Sequence, residues 1–104
     1  MNYAESLIPA LVDVELREAN RNNPPFHSLH EGYAVLKEEV EETEEALVVA
    51  KDYLASLWRN TRIDDAPCAK IAAEYLEHRA IHMAAEAIQV AAMARKFQAI
   101  GKEE

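Results

Sequence analysis

Residues that break helices are scarce. Only two glycines and four prolines stand among the 104 residues, so they punctuate the chain: Pro24-Pro25 and Pro67 mark two interruptions and Gly101 a terminus. No stretch alternates β-branched with polar residues, which excludes an ordinary sheet. The single cysteine, Cys68, cannot form an internal disulfide, and Met1-Asn2-Tyr3-Ala4-Glu5 lacks the charged and apolar blocks of a secretory signal. Both point to a reducing, cytoplasmic setting. Basic residues are few, 11 Lys and Arg against 19 Asp and Glu for a net charge of −8, and a polymeric nucleic acid would need clustered cations. Long apolar runs are missing too. Ala84 to Ala94 contains Glu86 and Gln89 and falls short of the ~20 residues of a membrane-spanning helix. With no Walker-type glycine loop, a P-loop is excluded.

What remains is rich in Ala, Glu, Leu, Lys and Arg, the strong helix formers, and reads as one all-α domain over residues 1–104. A first helix is expected over about Glu5 to Asn20, carried by Leu7, Leu11 and Val14, with Pro9 tolerated in its first turn. Ser28-Leu29-His30-Glu31 has capping-box spacing. From there Leu29, Tyr33, Leu36, Val40, Thr43, Leu47, Ala50, Leu54 and Leu57 step by fours and threes, a heptad seam that predicts a second helix ending near Trp58-Arg59-Asn60. Asp65 as N-cap and Pro67 in the first turn restart the chain. The third helix carries Leu76, Ala80, Met83, Ala87, Val90, Ala94 and Phe97 in the same rhythm. Two helices of this length would each run ~45 Å, against a radius of gyration of ~13 Å for a compact chain of this size. An apolar flank is left uncovered, which predicts a homodimer completing a four-helix-type bundle.

The segment Glu38 to Glu45 holds six glutamates in eight residues, and like charges three or four apart each cost about 0.2–0.5 kcal/mol. A solvated face eased by Lys37 and Lys51 accounts for most of them. Two stand apart: with Leu36 and Thr43 at d and Val40 at a, Glu39 falls at g and Glu42 at c, beside the seam. In the third helix Glu86 and Gln89 hold the same two positions. Antiparallel packing with these levels matched would direct three carboxylates and one amide into a shared cleft, a donor set suited to Mg²⁺.

The stretch Phe26 to Glu42, including Glu38-Glu39-Val40-Glu41-Glu42, together with Glu86-Ala87-Ile88-Gln89-Val90-Ala91-Ala92-Met93-Ala94, resembles the MazG-like all-α nucleoside triphosphate pyrophosphohydrolases, and more closely the small members common in phages and prophages. The resemblance spans about Phe26 to Phe97. It implies hydrolysis of (d)NTPs between the α and β phosphates, giving the monophosphate and pyrophosphate, with Mg²⁺ (or Mn²⁺), in a dimer or larger assembly. The family's E-E-x-x-E signature places Glu39 and Glu42 as metal ligands, and Glu86 matches the first acid of its E-x-x-D signature. Gln89 stands where the family has aspartate and brings an oxygen without a charge. Glu38 or Glu42 would act as general base. Arg79, at g one heptad before Glu86, would meet phosphate or pair with a glutamate of the second helix. The change at Gln89 keeps a second reading open, a catalytically degenerate helical module that binds a nucleotide or a protein; a purely structural coiled coil is a third.

His78, His82 and Glu86 share one face at i, i+4 and i+8, but neither Glu-x-x-His nor H-E-x-x-H occurs, so structural roles for both histidines are expected. His27 and His30 at the second helix start are read as local contacts. Tyr33, Tyr53, Trp58 and Phe97 are read as core or dimer contacts, and Cys68 has no assigned role.

Overall fold

The computed structural model describes residues 2–102. It contains three helices, α1 (Tyr3–Asn22), α2 (Leu29–Arg62) and α3 (Ala66–Gln98), and no strand among the described residues. Each helix starts on a side-chain cap. Asn2 accepts from the Glu5 N–H at 2.9 Å, Ser28 from Glu31 at 3.1 Å and Asp65 from Cys68 at 3.1 Å. The predicted box at Ser28 closes differently from the usual form, because the Glu31 carboxylate accepts from the N–H of His27, one residue before the cap. Asn2 starts α1 two residues earlier than expected. Pro9 therefore lies beyond the first turn, and the Glu5 carbonyl loses its helical donor on the exposed side of the helix. Asp64 turns the chain between α2 and α3 with φ 57°, a left-handed conformation that aspartate tolerates better than most residues.

α2 and α3 form an antiparallel hairpin, with Gly32 against Phe97 near its open end and Tyr53 stacked on Tyr75 (centroids 5.2 Å apart) nearer the turn. α1 lies on α3 rather than on α2. The core is thickest where Val12, Ala92 and Met93 meet Leu16, Phe26, Leu36 and Ile88. Elsewhere small residues at the contact, Ala46, Ala50 and Ala72, bring the two long helices close. Among the described residues no large side chain is fully buried. The radius of gyration is 17.8 Å and the extents are 63 × 28 × 24 Å, so the chain is the elongated rod its helix lengths predict.

The seam needs correcting in one respect. Of the a and d rows, only d packs inward: Leu36, Thr43, Ala50 and Leu57 are covered, the terminal d residue Leu29 is exposed, and the a residues Tyr33, Val40, Leu47 and Leu54 are exposed throughout. The second inward row is g, made of Gly32, Glu39, Ala46, Tyr53 and Asn60. α3 uses the same pair of rows, with Ala72, Glu86 and Met93 at g. On α2 the small residues Gly32 and Ala46 favour this rotation, since they let the backbones approach on the g side, where the bulkier a residues Tyr33, Val40, Leu47 and Leu54 would hold them apart. The a residues form a separate outer stripe. Val40 and Leu47 with Met83, Ala87 and Val90 line an open apolar groove of about 290 Å³.

Candidate metal centre

Because g faces inward on both long helices, Glu39 of α2 and Glu86 of α3 are brought to the same level of the hairpin. Glu42, one turn after Glu39, closes the group from the exposed rim. Each of the three offers a carboxylate oxygen, and these oxygens lie within 4.8 Å of one another. Burial raises the pKa of Glu39 above the ordinary glutamate value, and the neighbouring charges of Glu42, Glu86 and Glu38 raise it further. Glu39 also carries a backbone constraint, since Thr43 Oγ1 donates to its carbonyl at 3.0 Å. No lysine or arginine pairs with any of the three among the described residues. On the α3 side His82 Nε2 lies 3.5 Å from Glu86 Oε1. The donor chemistry is all-oxygen and anionic, which fits a hard divalent cation such as Mg²⁺ or Mn²⁺.

No family model, curated protein or solved structure matches this chain. The site therefore stands on its own geometry.

The remaining candidates fall elsewhere. Gln89 lies one turn after Glu86, but its carboxamide nitrogen donates to the Glu15 carboxylate of α1. Its position borders the cluster, while its donor is turned toward a different helix. Glu38 is exposed, lies outside the three-oxygen group and acts on it through its charge on Glu39. Arg79 is exposed, about 10 Å before Glu86 along the helix axis, and pairs with no glutamate of α2 among the described residues. His78 is exposed and outside the cluster. His27 and His30 are exposed as well, His27 contributing its backbone N–H to Glu31.

Glu15 is the acid that sequence reasoning missed. It lines an open cavity of about 280 Å³ together with Glu86 and Gln89. The only signal for it was its place on α1, three residues after Val12, and nothing in the spacing says which face of α3 that helix covers.

Proposed function

We propose that the protein is a MazG-like nucleoside triphosphate pyrophosphohydrolase, converting (d)NTPs to monophosphate and pyrophosphate with Mg²⁺ or Mn²⁺. The observation that carries this reading is the convergence of Glu39, Glu42 and Glu86 from two helices, with no lysine or arginine among the described residues to neutralise them. The match of Glu38 to Glu42 to the family's first acidic signature supports it. Glu39, Glu42 and Glu86 would hold the ion. Bound there, it would supply Lewis acidity toward phosphate oxygens and water. Glu42, at the exposed rim, and Glu38, one turn before it, are the chain's proton acceptors for the attacking water. As the water oxygen bonds to phosphorus, the bond to the departing pyrophosphate breaks and the proton passes to one of these carboxylates. Arg79 is left to meet only a distal part of the substrate.

The same reading includes self-association. Leu29, Tyr33, Val40, Leu47, Leu54 and Trp58 are exposed on α2, more apolar surface than one helix of a lone chain ordinarily shows to water. A second copy laid over the Val40–Leu47 groove would complete the four-helix-type bundle.

The test is a panel of (d)NTPs assayed for pyrophosphate with Mg²⁺ and with Mn²⁺. Release is expected from at least one nucleotide, falling by roughly 10²-fold or more in Glu39→Ala, Glu42→Ala and Glu86→Ala. A second reading, the degenerate binding module, draws on the Gln89–Glu15 hydrogen bond, which ties up the residue standing in place of the family's aspartate. Hydrolysis by the wild type rejects that reading, whereas activity appearing only in Gln89→Asp upholds it. A chain that hydrolyses nothing and whose melting temperature ignores metal would be a structural coiled coil.

A further inference from the structure

Lys96 is the one buried charged residue of the described chain, 7% exposed. Its neighbour Arg95 is ion-paired to Asp13, but Lys96 has no carboxylate partner and no hydrogen bond among the described residues. Its ammonium sits 4.9 Å from the centre of the Phe26 ring, a cation–π contact that fixes its position without neutralising its charge. The stem is buried while the ammonium opens on a cavity without a carboxylate partner of its own, an arrangement suited to an anion.

The space is there. Lys96 and Phe26 line two cavities, of about 340 Å³ and 320 Å³, and the second also reaches Glu39 and Gln89. Two carboxylates border that second cavity, Glu31 and Glu39. The first is engaged by the His27 N–H, and the second belongs to the cluster that would hold a divalent cation. With that cation present, the charge of the three carboxylates would be largely offset, and the cavity would have an ion with open coordination positions at one end and an ammonium at the other. Such a pair suits a phosphate chain: one phosphate meets the ion through its oxygens, and the next meets a lysine acting as a point charge.

We propose that the cavity between Lys96, Phe26 and Glu39 is a phosphate subsite, in which Lys96 binds the part of a polyphosphate that extends beyond the Glu39–Glu42–Glu86 cluster. This deepens the hydrolase reading and rests on it for the source of the anion, but Lys96 can be tested without turnover. The probe is inorganic pyrophosphate, titrated calorimetrically with and without Mg²⁺ at fixed salt, against wild type, Lys96→Met and Glu86→Gln. Lys96→Met keeps the stem of the side chain and removes its charge, so its melting temperature should equal or exceed that of wild type. Its pyrophosphate affinity should fall about tenfold or more, and Glu86→Gln should lose the Mg²⁺-dependent part alone. In wild type, pyrophosphate should move the amide NMR resonances of Phe26 and Lys96, a readout that needs no variant. Equal affinity in Lys96→Met, or resonance changes that bypass Phe26 and Lys96, would overturn the subsite. A protein that binds pyrophosphate through Lys96 yet hydrolyses no nucleotide would retain the subsite and lose the hydrolase. One that hydrolyses nucleotides with Lys96→Met unimpaired in binding would do the reverse.

Discussion

Glu39 is the residue on which most of the chemistry converges. Its carboxyl holds a proton more tightly in the folded protein than in the unfolded chain, first because it is part-buried and then because three glutamates face it. Folded protein therefore binds more protons than unfolded protein from the ordinary glutamate range up to the raised pKa. Linkage then gives stability that is fully present below the unfolded value and is lost as pH rises through the folded one. Metal-free melts should accordingly rise on acidification from neutral pH toward that range. Glu39→Gln should flatten this slope and melt higher at neutral pH by about 1 kcal/mol, the scale of a few like-charge contacts, or ~4–8 °C. A variant that melts lower than wild type in chelator would show that the cluster is not under charge strain. Glu39, Glu42 and Glu86 were legible as a set because i, i+3 spacing beside a heptad seam survives any modest rotation of the helix. Gln89 was legible in position and not in partner, since helix periodicity assigns a face without saying that α1 brings Glu15 to it. Lys96 gave no warning. It reads as a cation complementing the C-terminal dipole of α3, and its burial comes from the turn that lays Phe26 over it.

Helix boundaries and caps followed from local chemistry, with Ser28 and Asp65 found as expected. The choice between the a and g rows did not. It depends on how closely two backbones can approach, and that is decided by pairs of residues distant in the chain. Gly32 shows this most sharply: a Cβ placed there would lie 2.6 Å from Cδ2 of Phe97 and 3.1 Å from Cδ2 of Phe26. Alanine in place of a glycine within a helix ordinarily stabilises, by up to about 0.5–1 kcal/mol in mid-helix and by less in the first turn, where Gly32 stands. Here the overlap should reverse the sign, and Gly32→Ala is expected to cost a net ~1–2 kcal/mol, read as a lowered midpoint in urea or thermal unfolding. An unchanged or raised midpoint would mean that the two rings yield freely.

The molecule as a whole is long, thinly cored and apolar along one flank. Tyr33 and Trp58 keep 63% and 59% of their surface exposed, and among the described residues no large side chain is completely enclosed. The heptad rhythm foretold this shape, because it supplied two rows of apolar residues per helix where a lone hairpin can cover only one. Dimerisation through the outer row predicts a melting temperature that climbs with protein concentration, and sedimentation at twice the chain mass. Leu47→Glu, in the middle of the groove, should yield monomers that melt lower. Wild type that sediments as a monomer at high concentration would remove the second copy from the proposal.

The three acids also lie where the hairpin is least restrained by its own connectivity. Glu39 is ten residues into α2 and more than twenty from the Ile63–Asp65 turn, so the covalent link that joins the two long helices is remote from their mutual repulsion. That end is held together by the contact of Gly32 with Phe97 and by the Phe26 turn strapped across it. A cation between Glu39 and Glu86 would act as a clasp across a pair of tongs, far from their hinge. Its arrival would be felt mechanically, as a narrowing of the gap between the tips, with the pivot at Asp64 left undisturbed.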